Sequence, residues 1–249
     1  MAVGLSKNVD SFGFRMRGHD VLRVEALSDV VFGFALTLLV VSLEVPRTFD
    51  QMIDAMRGFP AFGITFLLLT AVWRTHYYFF RRYGLHDPRT MTLNTVLLFV
   101  ILFYVYPLKF LFNFNLAPLT GASIMIHDTG GTIIPPIRPA QVPVLMTVFG
   151  VGFAAVYVLF ALMYQNAYRM RTTLGLNPVE EFDTSVAIVG NAILAGTAVV
   201  ATIVSLALGG RTAGYAGWTY ATIPISMYVL RRVTARRRNE LAAEMPLAL

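Results

Sequence analysis

Residues Arg23 to Pro46 read RVEALSDVVFGFALTLLVVSLEVP. An apolar run of this length, closed by a proline, reads as a membrane-spanning helix. The 20 residues from Ala26 to Val45 rise about 30 Å at about 1.5 Å each, the thickness of a hydrocarbon core. Yet Ser28 and Asp29 lie inside its first turns. A carboxylate facing lipid costs at least about 2.5 kcal/mol. Asp29 is therefore expected to be buried against protein or to face water, which makes this helix a candidate wall of a pathway.

The rest of the chain has the same character. Of its 249 residues, 56% are hydrophobic and only 14% charged, with a mean hydropathy of +0.63. A soluble domain carries about 25% charged residues. Span-length apolar runs recur at about 24–45, 59–81, 92–114, 143–168, 184–208 and 213–231. Prolines, glycines or arginines separate them, as in Asp87-Pro88-Arg89, Asn177-Pro178 and Gly209-Gly210-Arg211. These runs predict an all-α polytopic membrane protein, a single domain over 1–249 with six transmembrane helices and short polar tails. The first 22 residues are polar and arginine-bearing, without the apolar core of a cleavable signal. No cysteine is present, so disulfides and thiolate metal sites are excluded. The one long connection, Thr120 to Pro143, is rich in Gly, Pro and Thr and reads as an irregular external loop.

Charge assigns an orientation. Six spans put both termini on one side. With that side cytoplasmic, it holds 14 of the 20 basic residues, among them Arg15, Arg81, Arg82, Arg169 and the run Arg236 to Arg238. Lys109 and Arg138 fall among the few left outside, and Arg74 lies within the second span. Cell-membrane proteins with cytoplasmic termini show this asymmetry. The net charge of +6 thus reports topology rather than a nucleic-acid partner. His19, His76, His86 and His127 are scattered, with neither a nucleophile–base set nor a metal cluster, so no enzyme, cofactor or metal site is expected.

The intramembrane polar residues fall at one depth. Ser28 and Asp29 lie about 7–10 Å from the cytoplasmic start of the first span. The second span runs the other way and brings Trp73 and His76 about 8–12 Å above the same face. Asn94, about 5 Å into the third, joins them. Three antiparallel neighbours therefore bring Arg23, Ser28, Asp29, Trp73, His76 and Asn94 together, with donors and acceptors that can satisfy one another. Two readings stay open for this group: a packed structural network, or direct handling of ions or protons. Phe34, Leu38 and Val41 follow i, i+4, i+7 spacing and form a stripe well away from Asp29, with Thr37 beside it. That stripe faces lipid, another helix or a symmetry axis.

Three motifs carry a resemblance. Arg23-Val24-Glu25-Ala26-Leu27-Ser28-Asp29 is similar to R-x-x-x-F-S-D, Trp73-Arg74-Thr75-His76 to W-x-x-H, and Asn94-Thr95-Val96-Leu97-Leu98-Phe99 to N-x-x-L-L-F. Together they resemble the transmembrane protein 175 family of potassium channels in its short prokaryotic form. The motif match covers roughly the first 110 residues, and the later spans agree in count and length. The resemblance implies a homotetramer in the bilayer with the first helix of each subunit lining a central pore. It implies apolar constrictions at Phe34, Leu38 and Val41, a selectivity-linked hydroxyl at Thr37, and potassium as the permeant ion. The polar group would hold the first helix in register. This chain departs at Leu27, where the motif has Phe, and at Phe34, where relatives usually carry Ile or Leu. The rival readings are a coupled carrier with Asp29 and His76 as titrating relay, and a non-conducting scaffold. No T-V-G-Y-G-like filter loop is present.

Overall fold

The computed structural model describes residues 9–10, 13–18, 20–41, 46–121, 126–127 and 133–244. Its helices are α1 (Arg23–Val41), α2 (Phe49–Arg57), α3 (Phe59–Tyr83), α4 (Pro88–Thr120), α5 (Val142–Arg169), α6 (Pro178–Leu208) and α7 (Thr222–Glu244). Start signals in the sequence place several of them. Asp87 accepts the Thr90 amide ahead of α4, and Asn177 with Glu180 forms a reciprocal capping box ahead of α6, each followed by a proline. At the other end of α3, Gly84 adopts φ 60° and returns its amide to Phe80.

Helices α4, α5 and α6 are long and apolar enough to cross a membrane, and α2 with α3, bent by 42°, would make a fourth such segment. The six expected spans differ from this at both ends of the chain. Helix α1 has 19 residues and ends at Val41, while residues 42–45 of the expected span lie outside the described residues. The sixth span is divided. A 3-10 stretch, Gly210–Ala221, precedes α7, which runs past the expected end to Glu244. Gly210, Gly214 and Gly217 supply the reason, since each costs an α-helix about 1 kcal/mol relative to alanine. Helix α2 falls outside the expected spans. It has no buried residue and exposes Phe49, Met52 and Met56 along one side. In the Thr120–Pro143 connection, Ile126–His127 pairs antiparallel with Ile133–Ile134 and Pro139–Gln141 forms a 3-10 turn.

Helix α1 packs on α3 and α4, α4 packs on α5, and α5 and α6 make the most extensive pairing. The main core joins Phe32 and Leu39 of α1, Phe79 and Tyr83 of α3, Leu97 and Ile101 of α4, and Phe160 and Met163 of α5. A smaller cluster of Leu108, Leu111, Met146, Phe149 and Ala216 lies beyond it along α4 and α5. Gly152 permits the α4–α5 approach, because a Cβ there would run into the Tyr104 ring.

A strap ahead of α1 closes the end of the bundle where α3 and α5 finish. Phe14 is fully buried edge-on against Tyr83. The amides of Arg17 and Gly18 both donate to the Arg81 carbonyl at 3.0 Å, so close that a Cβ on Gly18 would sit 2.7 Å from the Phe80 carbonyl oxygen. Arg15 and Arg17 converge on the buried Glu180 carboxylate at 2.9 and 2.7 Å, and Asp10 pairs with Arg82 at 2.6 Å. The strap thereby fixes where α1 begins.

Asp87 ties α4 to α5 through the Asn166 amide. Burial works against its charge, but hydrogen bonds from Thr90 and Asn166 outweigh that and hold the carboxyl below the usual range. A carboxyl depressed in the fold stabilises fully above its unfolded pKa, and that contribution disappears as pH falls through the folded value. Asp87→Ala should cost about 1 kcal/mol or more, the value of a lost helix cap. Thermal unfolding in detergent should show the deficit at neutral pH and a smaller one in strong acid.

Candidate functional site

The polar layer begins with one buried hydroxyl. Ser28 is wholly inaccessible, and its hydroxyl donates to the Val24 carbonyl at 2.7 Å. Its oxygen must then accept from Asn94 Nδ2, 3.0 Å away. That turns the Asn94 carbonyl oxygen toward His76, whose Nε2 lies at 2.7 Å. Nε2 must therefore carry a proton, and in the neutral ring Nδ1 keeps the lone pair. A single backbone carbonyl sets the direction of the whole chain. The His76 ring is held between Phe32 at 5.6 Å and Phe80 at 4.7 Å. Helices α1, α3 and α4 are joined here in a dry setting, where each satisfied bond matters most.

Of the two placements open to Asp29, burial against protein or contact with water, the single chain leaves it at the surface, with Oδ1 accepting from Trp73 Nε1 at 2.8 Å. Spacing along the helix sets depth, whereas the packing of Ser28, Phe32, Ala35 and Leu39 on α3 and α4 sets rotation. That rotation turns Asp29 outward. Arg23 is also exposed and forms no hydrogen bond or ion pair among the described residues. Asp29 and His76, the pair a proton relay would need, bond to different partners.

The apolar stripe also faces away from the chain's own core. Phe34 is 62% exposed, Leu38 half-buried and Thr37 exposed. Val41 is the last residue of α1, and its side chain lies outside the described residues. At about 100° per residue, Asp29 stands at one edge of the exposed half, Phe34 and Leu38 at the other, and Thr37 between them. The Thr37 hydroxyl donates to the Gly33 carbonyl at 2.8 Å, so its oxygen lone pairs point outward as acceptors.

Sequence reading missed two residues. Lys109, counted as an external charge, is buried within α4, and its Nζ donates to the Leu39 carbonyl of α1 at 3.0 Å. The last carbonyls of a helix lack partners within it, and a cation there also opposes the helix dipole. Glu25, an unspecified position of the first motif, is 8% exposed and accepts the Leu22 amide through Oε2 at 3.3 Å. The only sequence signal for either was an ionisable residue inside or beside a span.

A potassium channel of Marivirga tractuosa is 38% identical to this one over 242 residues, 96% of each chain. The family model described as "Endosomal/lysosomal potassium channel TMEM175" matches residues 23–104. The chain belongs to the transmembrane protein 175 family. A potassium channel of Streptomyces collinus is 30% identical over 91 residues, covering 34% of this chain and 44% of that one. A crystal structure of a variant of the potassium channel MtTMEM175, bound to a nanobody fusion, superposes with a TM-score of 0.76 at 36% identity. It covers 94% of this chain and 100% of that one. The family-model match spans α1 to α4, and so includes the whole Ser28–Asn94–His76 chain.

Asn94→Leu keeps the volume but leaves the His76 Nε2–H without an acceptor. It should destabilise the fold by about 1–3 kcal/mol, the cost of a buried unsatisfied donor, read as a lowered thermal midpoint in detergent. Lys109→Met keeps the packed arm and removes the donor. Hydrogen exchange should rise several-fold at 37–41 and stay unchanged at 26–30.

Proposed function

We propose that this chain is the subunit of a homotetrameric, potassium-preferring cation channel of the cell membrane, with α1 of each copy lining a central pore. One observation carries the reading beyond family membership. The inward half of α1 is committed to its own chain, and the outward half is unsuited to lipid. Arg23, Asp29 and Thr37 share that half with Val30 and Phe34. A carboxylate and a guanidinium in contact with hydrocarbon are costly, so water or further copies of the chain must cover this face. A ring of identical copies around an axis meets both needs, giving neighbours at the edges and water along the middle.

The subunit would cross the membrane six times with both termini cytoplasmic, as the distribution of basic residues supports. Helix α1, and α7 with the 3-10 stretch before it, would supply the two spans beyond α2–α3, α4, α5 and α6. Phe34, Leu38 and Val41 form successive apolar rings. Such rings gate by excluding water when narrow and pass partly hydrated cations when wider. Thr37 offers outward lone pairs between them, the chemistry a cation meets in place of lost hydration. Conduction is passive: the pathway holds potassium only in transit and needs no cofactor. The Ser28–Asn94–His76 chain and the Trp73–Asp29 bond keep α1 from turning its ridge aside, with Arg23 facing the neighbouring copy.

Reconstituted liposomes with a potassium gradient test this. Phe34→Ala should raise flux several-fold and lower the preference for potassium over sodium. Thr37→Ala should lower that preference with little change in total flux. Wild-type vesicles that pass no ions, or Phe34→Ala vesicles that pass no more than wild type, would remove α1 from the pathway.

A further inference from the structure

We propose that a cavity between α1 and α3, apart from the ridge of Phe34 and Leu38, binds one monovalent alkali-type cation with Glu25 as its principal ligand. The cavity, of about 200 Å³, is lined by Val21 just ahead of α1, by Glu25 and Asp29 of α1 and by His76, Tyr77, Phe80 and Arg81 of α3. A water molecule occupies about 30 Å³ in the liquid, so an ion and several waters fit.

Its walls are rich in acceptors. Glu25 is more than nine-tenths buried; Oε2 takes the Leu22 amide, while Oε1 meets no hydrogen-bond donor among the described residues. A buried carboxylate oxygen left bare costs several times an ordinary hydrogen bond, so something positive or donating belongs beside it. Asp29 brings a second carboxylate, of which one oxygen takes the Trp73 indole. His76 brings a ring whose Nε2 proton points to Asn94, so that in the neutral imidazole Nδ1 is an acceptor.

Charge selects the valence. Two carboxylates stand against one guanidinium, that of Arg81, leaving a formal excess of one negative charge. One monovalent cation balances it. No three His, Asp or Glu side chains converge at ligating distance among the described residues, so Glu25 is the direct ligand, and Asp29 and His76 face the ion through the waters that share the cavity. Exposed Val21, Asp29 and Tyr77 border the cavity, which gives an ion a way in.

The site does not need α1 to line a pore, and its first test does not either. Crystals of the full-length protein in thallium(I) salt should show an anomalous peak beside Glu25. The peak should vanish in Glu25→Gln and persist in Phe34→Ala. Glu25→Asp, which keeps the charge on a shorter arm, should weaken and shift it, and serves if the glutamine variant does not assemble. A wild-type cavity without a peak, or a peak indifferent to Glu25, would overturn the assignment. Where the protein conducts, Glu25→Gln should also raise the half-saturating potassium concentration about three-fold or more, with maximal current kept. An unchanged half-saturation in the presence of the thallium peak would confine the site to binding without a role in conduction, and would leave the pore reading untouched.

Discussion

A helix with apolar residues on most of its circumference can turn about its axis at small cost, because one greasy face packs nearly as well as another. The Ser28 hydroxyl removes that freedom from α1. Once it donates to Val24 it can be satisfied further only by Asn94, and Asn94 in turn orients His76. A turn of α1 by one residue would carry the hydroxyl out of reach and leave two buried polar groups bare, at about 1–3 kcal/mol apiece. Apolar packing sets how closely the three helices approach, and this chain of bonds sets which residues of α1 they leave uncovered.

The same helix is also fixed along its length. At its start, the strap laid over the α3 terminus positions the chain just before Arg23, with Phe14 buried and Glu180 gathering two arginines. At its end, the buried Lys109 donates to Leu39. Charged groups do this work at both ends because carbonyls and carboxylates removed from water need strong donors. Apolar contacts alone would allow α1 to slide by a turn. Rotation, start and finish are thus set by three separate polar devices, each contributed by a different part of the chain.

Much of this was legible in the sequence. The spans read at 59–81, 143–168 and 184–208 fall within α3, α5 and α6, since proline, glycine and arginine punctuate them clearly. The depth of Ser28, His76 and Asn94 followed from counting residues, and the structure brings those three together. The outward turn of Asp29 did not follow, because rotation depends on partners far away in sequence. Helix α2 went unread because its nine residues bury nothing and its apolar side is too short to stand out. The break before α7 was hidden by its mean composition, which is apolar enough for a span even though its glycines favour a tighter coil. Lys109 counted as an outside charge and Glu25 fell on an unspecified motif position, and only the tertiary contacts show that the one caps α1 and the other lines a cavity.

The exposure of Asp29 has a wider consequence. Within one chain, the Trp73 indole satisfies one of its oxygens and leaves the carboxylate at the surface, close in depth to the buried Glu25. Acidic groups at that depth act oppositely according to what covers them. Under lipid they would drive the helix out of the bilayer. Beside water they concentrate cations, since a low-dielectric wall focuses the field of a carboxylate into the aqueous side. The fold holds Asp29 outward by the bonds that hold Ser28 inward, so the two orientations are one constraint. A sequence that places a carboxylate outward so firmly, on a helix with an apolar ridge along its other edge, fits an assembly in which both edges border an aqueous axis shared by several copies.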